Sequence, residues 1–373
     1  MASPKFAQRV LDIDISGIRK MFEAAGSDAV NLGLGQPDFD TSEHIKQAAI
    51  EAINDGFTAY TYGAGIQELR QAISSKFKRE NSFDVAPEEV IVTSGASEAL
   101  EIAIASLVGP GDEVMIANPG FVSYNALVEL MGGKVSSLPL GDDLTIRPED
   151  VVERITPKTK ALIVNSPANP TGAVQSKSDM KAFAEIADDQ GIALISDEVY
   201  EHFIYEGEHI SPARYSDNVV TVNAVSKTYS MTGWRLGYVA ARSEYTEQMI
   251  KVHQYVQACA NSIAQKAALA AIEGPMDSVF AMRDEFKARR DMLVDGLNSI
   301  GLNCASPKGA FYAFPEVPEG SKSGEIAGKL ISNGVIVVPG TAFGDLGDGY
   351  IRLSYASSME NLKNALDIMK KVL

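Results

Sequence analysis

Apolar residues recur along this chain in two distinct patterns. In the first they stand three and four positions apart, as at Ile45, Ala49 and Ala52, and this spacing predicts helices with one buried face. In the second they form short, continuous, β-branched runs, which are typical of strands buried on both faces. Such strands are predicted at residues 90–92, 114–117, 161–164, 193–195 and 219–222. The alternation predicts a mainly parallel sheet sandwiched by helices, an α/β fold.

The pattern changes near residue 275. Apolar positions from Val279 to Ile300 predict one long helix, and three short strands and a last helix follow it. These strands are predicted at residues 310–314, 335–338 and 350–355. We therefore predict a large domain, residues 45–275, and a smaller α+β domain, residues 1–44 and 276–373.

Charge and composition narrow the class of protein. Of 373 residues, 49 are acidic and 33 basic, so the formal net charge of −16 argues against a nucleic-acid partner. No apolar run reaches the ~18 residues of a membrane span, and the N-terminus lacks the apolar stretch of a secretory signal. Cys259 and Cys304 form no disulfide framework, and with four histidines they show no metal-ligand spacing. A cytoplasmic protein without a metal site is predicted.

Polar and small residues follow the predicted strands. After residues 90–92 the chain runs through Gly95, Ala96 and Ser97 into a helix, and free N–H groups there suit one phosphate. A tight strand-to-helix turn without a ligand would explain the same residues. No P-loop or dinucleotide-binding glycine motif is present.

Three further residues follow the next strands. Asn169 lies in a loop with two X-Pro steps, Asp197 follows a buried run, and Lys227 follows residues 219–222. Singly, each has an ordinary explanation: a turn, a helix cap, a surface lysine. They are 28 and 30 residues apart, one strand–helix unit each, so we expect them to meet at one edge of the sheet.

This combination points to a cofactor. A phosphate cradle, a buried carboxylate and an activated lysine are what pyridoxal 5′-phosphate requires. The lysine forms a Schiff base with it, and the carboxylate pairs with its pyridinium nitrogen. Burial can lower the pKa of a lysine such as Lys227 and make it a nucleophile.

Four segments resemble the signatures of class I aminotransferases of fold type I, in the family's order and spacing. They are residues 226–237 (SKTYSMTGWRLG), 165–172 (NSPANPTG), 196–200 (SDEVY) and 32–39 (LGLGQPDF). The resemblance covers essentially the whole chain and is greatest to the branch that holds aspartate and aromatic-amino-acid aminotransferases. It implies the fold of that family and pyridoxal phosphate as cofactor.

The resemblance also implies roles for single residues. Lys227 would bond to the cofactor and then transfer a proton at the substrate Cα, and Asp197 would pair with the ring nitrogen. Tyr200 and Asn169 would bind the phenolic oxygen of the cofactor, and Phe121 would stack on its ring. The catalytic set is then Lys227, Asp197 and Tyr200.

Further positions would hold the phosphate and the substrate. The implied phosphate-binding residues are Gly95, Ala96, Ser97, Ser226 and Arg235. Tyr60 would reach the phosphate of a partner subunit, so the resemblance implies a homodimer with a shared active site. The implied substrate-binding residues are Gly35, Phe121, Asn169 and Arg352. For Arg352 a salt-bridged arginine on a solvent-exposed sheet face is the alternative.

The predicted activity is transfer of an amino group between an L-amino acid and a 2-oxo acid, 2-oxoglutarate being the expected acceptor, by a ping-pong mechanism. Phe121 and Ser97 replace residues of some aspartate enzymes of this branch, so aspartate, aromatic donors or both stay open. A β-lyase or synthase on the same fold is an alternative. A remote one is a serine hydrolase, because residues 95–99 superficially resemble a nucleophile elbow around Ser97.

Overall fold

The computed structural model describes residues 5–13 and 29–373. Residues 1–4 and 14–28, part of the predicted segment 1–44, lie outside the described residues. The helices are α1 (Gln8–Leu11), α2 (Glu43–Asn54), α3 (Gln67–Lys76), α4 (Ala96–Leu107), α5 (Val122–Leu130), α6 (Pro148–Arg154), α7 (Lys177–Gln190), α8 (Val225–Thr228), α9 (Ser243–Val256), α10 (Ser262–Glu273), α11 (Asp277–Ser299), α12 (Ser323–Ser332) and α13 (Met359–Val372). The strands are β1 (Val30–Asn31), β2 (Val90–Thr93), β3 (Glu113–Asn118), β4 (Lys134–Pro139), β5 (Thr159–Asn165), β6 (Ala193–Asp197), β7 (Val219–Ala224), β8 (Gly237–Ala240), β9 (Tyr312–Ala313), β10 (Val335–Ile336), β11 (Val338–Pro339) and β12 (Ile351–Ser354).

A seven-stranded sheet forms the centre of the protein, in the order β2-β8-β7-β6-β5-β3-β4. Only β8 runs against its neighbours β2 and β7, and the other pairs are parallel. Every residue of β2, β6, β7 and β8 is buried, because helices cover both faces. The predicted α/β fold with a mainly parallel, helix-covered sheet is confirmed.

Strand register sets the carboxyl ends of the central strands side by side. Asn165 at the end of β5 pairs with Asp197 at the end of β6, and Asp197 pairs with Val222 near the end of β7. Across β8, Gly237 pairs with both Ala224 and Thr93. The segments that follow β2, β5, β6 and β7 therefore start at one edge of the sheet.

The described residues also form two small sheets, antiparallel β11-β12-β9 and parallel β1-β10. The single strand predicted over residues 335–338 is wrong, because the chain changes partners at Val337. Val335 pairs with Val30, whereas Val338 pairs with Arg352. All these residues are buried on either side of the break, so the apolar run alone does not reveal it.

The two parts of the chain share a core. Phe203, which follows β6, packs against Phe286 of α11 and against Phe311, with ring centroids 5.4 and 5.7 Å apart. The large sheet lies between residues 90 and 240, inside the predicted large domain, while the limits 45–275 stay a prediction. Within residues 5–13 and 29–373, no helix has both the length and the apolarity needed to cross a membrane.

Candidate active site

A cavity of about 210 Å³ opens where the carboxyl ends of the strands meet. Its lining includes most of the residues singled out from the sequence. These are Gly35, Ala96, Ser97, Phe121, Asn169, Asp197, Tyr200, Ser226, Lys227, Arg235 and Arg352. Of the remaining two, Gly95 lies under the Arg235 guanidinium, and Tyr60 is not part of the lining.

The charge of the cavity is opposite to that of the whole chain. Among residues 5–13 and 29–373, Lys227, Arg235 and Arg352 line it together with one carboxylate, Asp197. The chain as a whole has a formal charge of −16. A concave, locally cationic site in an acidic protein favours a ligand with more than one anionic group.

Lys227 stands in the short helix α8, which directly follows β7. Its Nζ donates a hydrogen bond to the Gly35 carbonyl oxygen at 2.6 Å. Burial and, to a smaller extent, the positive charges of Arg352 and Arg235 together lower the pKa of Lys227 to about 8, and the negative charge of Asp197 opposes the shift. About a tenth of a group with that pKa is neutral at pH 7, far more than for an ordinary lysine.

Asp197 ends β6 with only 4% of its surface exposed. Its Oδ2 accepts a hydrogen bond from the Tyr124 hydroxyl at 2.7 Å, and its Oδ1 accepts one from the Val199 N–H at 3.3 Å. Burial is the main reason that the pKa of Asp197 is raised to about 6, and the two hydrogen bonds limit the rise. The carboxylate is therefore largely ionised at neutral pH.

The turn between β2 and α4 has the geometry that an anion-binding cradle requires. Gly95 has a φ of +83°, and a Cβ there would lie 2.8 Å from Nη2 of Arg235. A Cβ at Gly237 would lie 2.5 Å from the backbone nitrogen of Ala96. Because α4 begins at Ala96, the N–H groups of Ala96 and Ser97 have no partner inside the helix. Free amides, a helix N-terminus and a guanidinium meet here, as a phosphate requires.

Arg352 stands on β12 and is 1% exposed, so it does not lie on a solvent-facing surface of the sheet. Its Nη1 donates to Oδ1 of Asn169 at 2.9 Å, and its Nη2 donates to the Gly33 carbonyl oxygen. Its Nε is buried without a partner, and no carboxylate of the described chain lowers the cost of its charge. Burial lowers the pKa of Arg352, as expected for a cation without a counter-ion. An anionic ligand would supply that counter-ion.

Two tyrosines that the sequence analysis did not single out complete the wall of the cavity. The Tyr312 hydroxyl lies 2.7 Å from the Tyr200 hydroxyl, and a Cβ at Gly35 would overlap it. Tyr124 packs edge-on against Phe121, with ring centroids 5.4 Å apart. Tyr124 could have been identified from the sequence, because it follows Phe121 by one helical turn. No neighbouring residue in the sequence marks Tyr312 in this way.

Tyr60 lies away from this cavity, and 87% of its surface is exposed. Its segment, residues 60–65, is nevertheless well anchored. Nε2 of Gln265 donates to the Thr61 hydroxyl at 3.0 Å, and Nε2 of His253 lies 2.8 Å from the Gly63 carbonyl oxygen. Tyr60 thus projects outward from a fixed loop, and its predicted contact with a partner stays a prediction.

Next to Asp197 lies a buried cluster that the prediction of no metal site overlooked. Ligand atoms of Glu198, Glu201 and His209 lie within 4.8 Å of one another. Nζ of Lys76 bonds to Glu201, and Nδ2 of Asn81 donates to Glu198 at 3.1 Å and to Glu201 at 2.7 Å. These donors already satisfy the carboxylates, so the geometry favours an internal charge network.

The hydrolase alternative lacks its general base. Ser97 lines the cavity, but no histidine of the part of the chain that the structure describes does so. His253 lies 2.7 Å from Glu98, His202 contacts Thr228 at 3.1 Å, and His209 contacts Glu198 at 2.9 Å.

Known proteins resemble this chain over nearly its whole length. The family described as "Aminotransferase class I and II" matches residues 27–369. A probable aspartate aminotransferase of Methanocaldococcus jannaschii is 47% identical over 98% of this chain and 99% of its own. Aromatic-amino-acid aminotransferase 2 of Thermococcus litoralis is 40% identical over 98% of each chain.

Comparison of the fold with solved structures leads to the same family as comparison of the sequence. The aspartate aminotransferase of Thermus thermophilus with maleate superimposes with a TM-score of 0.96, at 41% identity, over 100% of both chains. The motifs around Lys227 and Asp197 lie on the same cavity here, so sequence, fold and site lead to one family. This chain belongs to the class I and II aminotransferases.

Proposed function

We propose that this protein is a pyridoxal 5′-phosphate-dependent aminotransferase that moves an amino group between an L-amino acid and a 2-oxo acid. One observation carries the proposal. Lys227, with its lowered pKa, and buried, ionised Asp197 share a cavity with an anion cradle and with Arg352, a buried cation that has no counter-ion among the described residues. Pyridoxal phosphate with an amino acid matches this set of groups.

The residues present fit the cofactor. Its phosphate suits the cradle formed by Gly95, Ala96, Ser97, Ser226 and Arg235. Ionised Asp197 suits the ring nitrogen, and the Phe121 ring suits the face of the pyridine. Because Oδ1 of Asn169 accepts from Arg352, its Nδ2 is left to donate to the phenolic oxygen, beside the Tyr200 hydroxyl. When bound, pyridoxal phosphate supplies an electron sink for the charge that develops at the substrate Cα.

Three residues of the cavity then have separate roles in the reaction. Arg352 binds the α-carboxylate of the amino acid, close to the backbone of Gly35, and so fixes the position of Cα. Lys227 Nζ removes the proton from Cα of the donor amino acid in the first half-reaction and delivers a proton to Cα of the new amino acid in the second. The removal requires the neutral amine that burial favours. Asp197 keeps its negative charge next to the ring nitrogen and maintains the electron demand of the ring.

The relatives' names support the choice of substrates. They include aspartate and aromatic-amino-acid aminotransferases, so we propose aspartate, aromatic donors or both, with 2-oxoglutarate as the expected acceptor. Ser97, Leu100 and Phe121 line the cavity, and none of them carries a charge. Release of the first 2-oxo acid before the second binds gives a ping-pong mechanism.

Glutamate formation tests the proposal. The purified protein with pyridoxal phosphate, 2-oxoglutarate and either aspartate or tyrosine should produce glutamate, with parallel double-reciprocal lines as both substrates are varied. If pyruvate or ammonia accumulates in place of glutamate, a β-lyase on the same fold is the better reading. If neither donor nor any other amino acid yields any product, the proposed activity is wrong.

We also propose a homodimer and a cytoplasmic location. Tyr60 and Tyr62 are 87% and 70% exposed on an anchored loop, which suits contact with the active site of a second subunit. Cys259 and Cys304 are free thiols, in keeping with a reducing compartment. Sedimentation should give twice the 39.9 kDa mass of the chain, and a monomer that is fully active would contradict the shared site.

A further inference from the structure

His253 connects two segments that the proposed function places in different active sites. It stands on α9 and is completely buried. Its Nδ1 lies 2.7 Å from Oε1 of Glu98, and its Nε2 lies 2.8 Å from the Gly63 carbonyl oxygen. Glu98 belongs to the first turn of α4, the phosphate-binding helix, and Gly63 belongs to the loop that carries Tyr60.

Both neighbours of His253 are acceptors. A backbone carbonyl oxygen only accepts hydrogen bonds, and so does an ionised carboxylate. Oε2 of Glu98 accepts a hydrogen bond from the Ser94 N–H, which leaves Oε1 as the oxygen that faces the His253 ring. For both contacts to be hydrogen bonds, both ring nitrogens of His253 must carry a proton.

The two contacts of His253, with Glu98 and with Gly63, each hold a different segment in place. At one end, Glu98 holds Ser94 and with it the strand-to-helix turn that presents Gly95 to the phosphate. At the other end, Gly63 is held within the loop that projects Tyr60 outward. Gln265 holds the same loop through uncharged hydrogen bonds to the Ile66 N–H at 2.8 Å and to the Thr61 hydroxyl at 3.0 Å.

We propose that His253 is a buried imidazolium and a positioning residue, which fixes the Tyr60 loop against the phosphate-binding turn of its own subunit. In the dimer it would thereby set the phosphate contacts of two active sites at once. The inference rests on the proposed function, because the bound phosphate and the partner's site are what this contact organises. His253 itself touches neither the cavity nor the proposed cofactor.

The contact with Glu98 stabilises the charged form of the His253 ring. Among the described residues, Glu98 is the ionisable group that faces the ring, and its contact raises the pKa of His253 above the ordinary 6.5, against the effect of burial. Glu89, before β2, instead accepts from Ser243 at 3.0 Å, and Lys251 on the same helix bonds to Gln248. The stabilising contact is thus complete below pH 6.5 and is lost as the pH rises through the raised pKa.

Nuclear magnetic resonance of protein labelled with [13Cε1]histidine tests the charge directly. The chain has four histidines, so the signal missing from His253→Gln identifies His253. We expect this signal to keep the chemical shift of the charged ring at pH 7, and to titrate about one pH unit lower in Glu98→Gln. A neutral His253 at pH 7 would overturn the proposal. Since both cofactor-free and cofactor-loaded protein can be measured, this result does not depend on the proposed activity.

The affinity for pyridoxal phosphate tests the positioning role. His253→Gln should raise the dissociation constant about tenfold, as expected for loss of a charged hydrogen bond. The double variant with Glu98→Gln should lose less than the two single variants combined, because two neutral amides can pair. His44→Gln, on α2, is the matched control and should bind with wild-type affinity. Unchanged affinity in folded His253→Gln would reject the positioning role, whereas a wild-type protein that never binds the cofactor would reject the proposed function.

Discussion

Replacing Lys227 with alanine is expected to lower the rate of transamination by about 10⁴-fold or more, because the variant lacks the group that moves the proton at Cα. Covalent capture should fail as well. After borohydride reduction of the holoenzyme, mass spectrometry should find the cofactor attached to Lys227 in the wild type, and no attachment in the variant. The lowered pKa and the position of Nζ in the cavity are the reasons that this lysine is chosen.

An exposed lysine provides the control. Lys181 on α7 pairs with Glu185 at 3.3 Å on the surface, so Lys181→Ala should retain full activity and full cofactor attachment. If Lys227→Ala keeps wild-type transamination while folded, another group moves the proton and the central assignment is wrong.

Replacing Arg352 with alanine is expected to raise the KM for the amino donor by about 10²–10³-fold, the cost of truncating one member of a buried charge pair. The visible band of bound pyridoxal phosphate should remain, because Arg352 bonds to Asn169 and Gly33, neither of which belongs to the cradle proposed for the phosphate. Arg352→Lys should recover only part of the loss, since an ammonium group cannot form the two parallel hydrogen bonds of a guanidinium. Steady-state kinetics and absorption spectra of the same samples measure both effects.

Arg147 is a suitable comparison residue. It is 57% exposed and pairs with Asp150 at 2.7 Å, so Arg147→Ala should change neither KM nor the spectrum. Loss of the cofactor band in Arg352→Ala, with KM for the donor unchanged, would place Arg352 at the cofactor instead of the substrate.

The gathering of Asn169, Asp197 and Lys227 could be predicted because it follows from local pattern. Each residue stands at or shortly after the carboxyl end of a strand, and parallel register aligns those ends. The position of Arg352 could not be decided in this way. Its apolar neighbours allowed either a buried or a solvent-facing side chain, and only the packing of the small sheet beside the cavity places it on the buried side.

Contacts between distant segments carried no local signal. Tyr312 reaches Tyr200 across 112 positions, and His253 reaches Glu98 across 155. Such pairs depend on how the helices and the small sheets pack on the large sheet. The pattern of apolar residues specifies which faces are buried, and it does not specify which buried polar groups meet.

The most direct test is the visible spectrum of the purified protein with pyridoxal phosphate, before and after addition of aspartate, tyrosine, alanine and glutamate in separate samples. We expect a yellow band that each true donor bleaches without any added 2-oxo acid, with one equivalent of the donor's own 2-oxo acid released. A band that no amino acid bleaches would contradict transamination, and no band at all would contradict the roles of Lys227 and Asp197 together.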